Sequence, residues 1–335
     1  MNTAHGAHDD RQRVQDRLPG YQVGDQIGHG GSSVVLAGTH RRLERPVAIK
    51  QIRSQFATDP NVRRQFATEA RLIASLDHPH VVSIYDYIED DDLCLLVMEY
   101  LPGGTVEKRI TTTGFNTAAA LAVALSCAAG LEAAHQAGIL HRDIKPSNLM
   151  FSASGAVKLT DFGIAEVVGD KDAHPTHPSE VFGTPAYIAP EQARGMELSP
   201  ATDIYALATM LYRLLSGDLP FPSAPDPIDT LFMHAFDAPR PLVDMAPSVP
   251  TPIADVVMRG LATDPADRYG SADEFGIALA SAAVALWGPN WLGSVGIPVN
   301  GSDSILVAAT RAGNGIAHTA TLTPAISPRR CRASR

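Results

Sequence analysis

The stretch HRDIKPSNLM, residues 141–150, brings Asp143, Lys145 and Asn148 within six positions of one another. Apolar residues flank it, with Ile139 and Leu140 before and Leu149, Met150 and Phe151 after. A carboxylate, an ammonium and an amide so close together at the edge of apolar strands are costly to desolvate unless something binds them. The chemistry that uses this trio decides how the rest of the chain is read.

Upstream, from Tyr21, the texture is that of short strands. YQVGDQI, SVVLAGTH and RPVAIKQI surround a glycine-rich turn, IGHGGSSVV, at Ile27–Val35. Gly28 and Gly30 let backbone N–H groups approach phosphate oxygens with no Cβ in the way. Taken alone, the pattern is weak and more often just a hairpin turn. It is not a Walker A loop, because no GK[ST] follows. VAIK ends at Lys50, which then lies on the strand next to that turn. Helical spacing of apolar residues runs from about Asp59 to Leu76 and contains Glu69, the natural counter-charge for a half-buried Lys50. Taken alone, Glu69 also reads as part of a solvated helix face.

VVSIYDYIE and LCLLVMEY are strand-like, and LPGGT marks a hinge. Beyond it the chain turns helical. An alanine-rich helix begins near Asn116 and ends at Gly138. After the opening stretch comes AVKLTDFG, with Asp161 in DFG. A loop rich in Pro and His follows, then three apolar helices. Ser271 and Glu274 have capping-box spacing at the start of the last of these.

The order G-x-G-x-x-S-x-V, V-A-I-K, helical Glu, H-R-D-x-x-x-x-N, D-F-G and A-P-E resembles the protein kinase family, in its bacterial eukaryotic-like serine/threonine branch. The likeness covers residues 21–286. It implies an α+β, two-lobed fold. The N-lobe, 21–98, is an antiparallel sheet with one main helix. The hinge is 99–102, and the C-lobe, 103–286, is mostly helical. Residues 1–20 are expected to be a flexible arm and 287–335 a flexible tail.

What the resemblance implies for the site is specific. Asp143 aligns the attacking hydroxyl and Lys145 neutralises charge on the moving phosphoryl group. Lys50, paired with Glu69, holds the ATP phosphates, and Asn148 and Asp161 hold Mg2+, with Mn2+ as an alternative ion. An ordinary Asp, with a pKa of about 3.9, is a weak base for an alcohol, so alignment is its larger role. Ile27, Gly28, Gly30, Val35, Ala48, Met98, Glu99, Leu101 and Met150 enclose the nucleotide. Glu191 and Arg268 form a buried brace, and Asp203 receives backbone N–H groups of the 141–143 loop.

KPSN after Asp143, and Thr184 in GTPAYIAPE, fit the serine/threonine pattern. In the activation segment, Thr176 and Ser179 are candidate phosphorylation sites, and Glu180 is a candidate substitute for a phosphate opposite Arg142. His174 and His177 read as solvated loop residues. Ser33 takes the place of a third glycine in the phosphate loop.

The bulk numbers agree. The chain has 335 residues, 45% hydrophobic and 19% charged, enough to bury a large core. A formal charge of −9 speaks against a general nucleic-acid binder. Three scattered cysteines, Cys94, Cys127 and Cys331, with no CxxC, fit a reducing compartment. The N-terminus has no apolar h-region. The two long uncharged stretches, Thr111–Leu131 and Phe275–Ser302, read as buried helices rather than membrane spans. The expectation is therefore a cytoplasmic enzyme acting on protein substrates, with pairing of two copies for trans-autophosphorylation. The alternative is a pseudokinase scaffold that binds ATP without transferring phosphate.

Overall fold

The computed structural model describes residues 11–30, 33–52, 60–90, 93–162 and 185–311, with the backbone alone for Pro60, Asn61, Val62, Gln65 and Glu69. The Glu69 side chain, Thr176, Ser179, Glu180 and Thr184 therefore lie outside the described residues, as do His174, His177 and Cys331.

A short helix, α1, at 11–17, leads into β1 (Tyr21–His29), β2 (Ser33–His40) and β3 (Arg45–Ile52). Helix α2 (Pro60–Ala74) follows, then β4 (Ile84–Asp90) and β5 (Leu93–Glu99). The five strands form one antiparallel sheet in the order β1-β2-β3-β5-β4.

Alternation along these strands sorts their side chains into two sets. Ala48, Ile52, Cys94, Leu96 and Met98 join a core with Phe66, Ala70 and Ile73 of α2. Leu36, Val47, Ile49, Leu93, Leu95 and Val97 form a second cluster on the other face. That second cluster is capped by Val14 and Leu18, 0% and 2% exposed, which corrects the expectation of a flexible arm over residues 11–20. The Gln15 side chain fixes the arm, donating to Tyr21 O (2.9 Å) and accepting from Val23 N–H (2.9 Å).

The larger lobe contains α3 (Val106–Thr112) and α4 (Thr117–Gln136), then β6 (Leu149–Phe151) paired with β7 (Val157–Leu159). After the activation segment come α5 (Pro190–Ala193), α6 (Pro200–Ser216), α7 (Pro227–Phe236), α8 (Leu242–Met245), α9 (Thr251–Gly260) and α10 (Ala272–Trp287). Helix α4 is the only one among the described residues long and apolar enough to cross a membrane. It is buried on nearly all sides, as a central core helix is.

The segment after α10 corrects a second expectation. Gly288, at φ 79°, ends α10, but the chain then packs back onto the lobe. Trp291, Ile297, Ile305 and Ala309 are at most 5% exposed, and a last helix, α11 (Asp303–Thr310), lies along α10. A Cβ on Gly276 of α10 would sit 2.5 Å from Ile305 Cδ1, so the glycine permits that close contact. The expected flexible tail is thus folded from 288 to 311.

Candidate active site

The three groups of the opening stretch meet. Lys145 Nζ donates to Asp143 Oδ2 at 2.7 Å, and Asn148 Nδ2 donates to the same oxygen at 2.8 Å. Asn148 Nδ2 also donates to the Asp143 carbonyl at 2.8 Å. A short 3-10 turn, Pro146–Asn148, folds the amide back over the aspartate. Asn148 is buried while the Asp143 carboxylate stays about one-third open to solvent.

The loop that presents Asp143 is held from below by Asp203, near the start of α6. Its Oδ2 accepts the His141 N–H and its Oδ1 the Arg142 N–H, at 2.8 and 2.7 Å. His135 Nε2 adds a third bond at 2.8 Å. Burial alone would raise the Asp203 carboxyl; the His135 bond, the nearby histidines and the backbone N–H donors outweigh it and hold it below the ordinary range. Arg142 takes the left-handed φ of 65°, a conformation worth of order 1–3 kcal/mol of strain for a non-glycine residue. Two consecutive N–H groups on one carboxylate stabilise it there. The His141 ring donates through Nε2 to Thr160 O (3.0 Å) and accepts the Asp143 N–H at Nδ1 (3.3 Å). Burial pushes its pKa down, so it works as a neutral ring.

Lys50 and Asp161 form the second half of the site. Lys50 Nζ meets Asp161 Oδ1 at 2.7 Å, with the lysine side chain 8% exposed. The Lys50 charge holds the Asp161 carboxyl below the usual range. Asp161 also has a positive φ, 55°. Its neighbour Thr160 joins the two halves: its N–H and its hydroxyl both donate to Asn148 O at 2.9 Å. Among the described residues, Asn148 Oδ1 and Asp161 Oδ2 have no partner. Two free hard oxygens, one on an ionised carboxylate, are a donor set suited to Mg2+.

Strand register aligns the expected nucleotide wall. Gly28 pairs with Val35, Val35 with Lys50, and Ala48 with Met98. These residues share the face of the sheet that looks toward Asp161. Ile27 is half exposed at the edge of β1, and Gly30 N–H closes the turn onto Ser33 O at 2.8 Å. Glu99 ends β5 with its carboxylate 2.8 Å from Lys158 Nζ, and Leu101 is buried just beyond it. Gly103 N–H donates to Phe151 O and Phe151 N–H to Gly104 O, both at 2.9 Å, which brings Met150 beside the linker.

Next to Lys145 lies an open groove of about 670 Å³, lined by Pro146, Tyr187, Leu219, Phe221, Glu107 and Arg213 among others. Arg213 makes a two-pronged pair with Glu107, both bonds 2.8 Å, and donates to the Tyr187 hydroxyl. Behind the groove, Arg268 and Glu191 form the expected brace, again two bonds of 2.8 Å.

Thr160, His80, His135 and Lys158 were not singled out in the sequence. Thr160 and Lys158 flank a motif already found, and that adjacency was the available signal. His80 and His135 carried none.

Comparison with known proteins agrees with this geometry. Residues 21–276 match the family described as protein kinase domain. The chain is 37% identical over 259 residues to the serine/threonine-protein kinase PknB of Mycobacterium tuberculosis, covering 76% of this chain and 41% of that protein. It is 36% identical to a probable serine/threonine-protein kinase of Streptomyces coelicolor, covering 77% and 39%. The chain thus spans about two fifths of the length of these curated relatives. Among solved structures, the kinase domain of Mycobacterium tuberculosis PknI superposes with a TM-score of 0.62 at 29% identity, covering 79% of this chain and 96% of that one.

Proposed function

We propose the following reaction for this chain, which belongs to the protein kinase family: transfer of the ATP γ-phosphoryl group to Ser or Thr hydroxyls of proteins. The observation that carries the reading is the Asp143 carboxylate clamped by Lys145 and Asn148, at 2.7 and 2.8 Å, over a loop anchored on Asp203.

In this reading Asp143 receives and orients the acceptor hydroxyl. Lys145, already against Asp143, shifts its charge toward the transferring group. Lys50 holds the nucleotide phosphates. Asn148 and Asp161 hold the divalent ion through the oxygens left free. The bound ion supplies charge neutralisation between the phosphates. Little covalent assistance is needed for such a transfer, and positioning with electrostatic stabilisation does most of the work. Gly28, Gly30, Val35, Ala48, Met98 and Met150 enclose the base and phosphates, and Glu99 and Leu101 offer backbone hydrogen bonds. The groove beside Lys145 receives the acceptor polypeptide. Thr176 or Ser179 of the activation segment is phosphorylated by a second copy of the chain. A cytoplasmic setting is part of the proposal, supported by Cys94 and Cys127 being buried and unpaired, and cell fractionation tests it.

Purified protein incubated with Mg2+ and γ-labelled ATP should label itself or a general acceptor protein. Asp143→Asn should lower the rate about 10²–10⁴-fold, the usual cost of losing such a group. Labelling that persists undiminished in that variant would remove the proposal.

A further inference from the structure

Segment 288–311 lies beyond the residues that match the kinase family, yet it bonds to His80, which in turn holds the strand that leads to the metal-site aspartate. Its course is fixed by hydrogen bonds rather than by apolar packing alone. Asn300 N–H donates to His80 Nε2 at 2.8 Å. His80 Nδ1–H in turn donates to Val157 O at 2.7 Å. The His80 carbonyl accepts the Leu159 N–H at 2.8 Å, and Val82 N–H donates to Leu159 O at 3.0 Å. Val157 and Leu159 are the two ends of β7, and Thr160 and Asp161 follow directly.

The His80 ring is fully buried. Burial also lowers its pKa to about 4, so the ring is neutral in use, one nitrogen donating and the other accepting. That tautomer matches its two partners. Removing Asn300 N–H would take from the buried His80 Nε2 its protein donor. The segment is pinned on both sides of this bond. Ser126 Oγ donates to Pro298 O at 3.4 Å, and His78 Nε2 lies 3.3 Å from Gly301 O. Gly301 has φ 80°, and any side chain there would run into the His78 ring.

We propose that Asn300 and His80 are positioning residues for Asp161: the C-terminal segment sets β7 through His80, and β7 sets the metal-site carboxylate. The inference rests on the kinase reading, since it assigns Asp161 the metal.

Asn300→Pro removes the single N–H donor. His80→Asn keeps a donor toward Val157 O and loses the acceptor for Asn300, and so serves as a second variant if the first does not fold. Ile305→Ala is the control, because it weakens the same segment without touching His80. For each, kcat, the Mg2+ concentration giving half-maximal rate, the KM for an acceptor protein and the Tm are measured well below the Tm.

Asn300→Pro and His80→Asn should lose about tenfold in kcat or Mg2+ response, the low end for groups that orient metal ligands. The acceptor KM should stay unchanged. Ile305→Ala should lower the Tm and leave both kinetic quantities near wild type. If Asn300→Pro behaves as Ile305→Ala does, the segment is only a structural prop and the inference is overturned. A wild-type protein that transfers no phosphate overturns the kinase reading instead. The inference is then judged separately, from the Tm shift that Mg2+ and a non-hydrolysable ATP analogue produce in wild type and in Asn300→Pro; equal shifts overturn it.

Discussion

At the scale of single residues, the strongest commitment in the larger lobe is Arg268. All five of its N–H groups are used: Nε on Ala262 O, Nη1 on Glu191 and Ala201 O, Nη2 on Glu191 and Thr263 O. Its side chain is 0% exposed and its partner's 2%. Burial raises the Glu191 carboxyl, but the Arg268 bonds overcome that and leave it below its ordinary value. Glu191→Gln would strand a buried guanidinium, which costs roughly 3–5 kcal/mol. Arg268→Lys should do nearly as badly, because three donors on a point cannot replace a planar fork of five. Urea unfolding of both variants checks this; a loss below 1 kcal/mol for Arg268→Lys would refute the planar-fork account. The motif letters made Glu191, Arg268 and Asp203 legible in the sequence. They did not make Thr160 legible. Its two bonds to Asn148 exist only once β6 and β7 pair, and a threonine before an aspartate is otherwise unremarkable.

At the scale of elements, the lobes and the strands were readable from apolar alternation and from the glycine and proline breaks. The two terminal segments were misread for a shared reason. Strand β5 is apolar at every position from Leu93 to Met98, as a strand covered on both faces must be. One cover is α2 and the other is α1 with the residue that follows it, and the two contacting side chains there, Val14 and Leu18, are too few to make a periodic signal. The same holds for α11, eight residues long and anchored by Ile305 and Ala309. Helix α4 carries a sharper test. Gly130 sits mid-helix, where alanine would ordinarily add about 1 kcal/mol of stability. A Cβ there would lie 2.8 Å from Leu159 Cδ1 and 2.9 Å from the His80 carbonyl oxygen. That oxygen is already fixed by Leu159 N–H, so it cannot retreat. Overpacking of this kind costs about 1–3 kcal/mol, and Gly130→Ala should be net destabilising in denaturant titration, with the Tm lowered rather than raised.

At the scale of the whole molecule, acid sensitivity follows from its buried histidines. His80 and His234 are both pushed to about 4 by burial. Unfolding returns them to about 6.5, so between those values the unfolded chain binds more protons. Stability should therefore fall as the pH drops from 6.5 toward 4, by up to about 1.4 kcal/mol per pH unit for each histidine. Carboxylates such as Asp203 and Glu191 add to the loss only at lower pH, where their unfolded forms take up protons. Melting curves at pH 7 and pH 5 check the prediction, and His234→Gln should flatten the difference. An identical drop in that variant would point to other groups.

The notch at Gly276 into which Ile305 fits has a practical side. A gene trimmed where family similarity ends, at 276, would sever α10 in its second turn. One trimmed at 287 would keep α10 and bare the notch, together with the neighbouring Ala128, to water. Apolar troughs of that sort drive self-association, so shortened polypeptides should clump or dimerise, and their sluggishness would testify to the cut rather than to the enzyme.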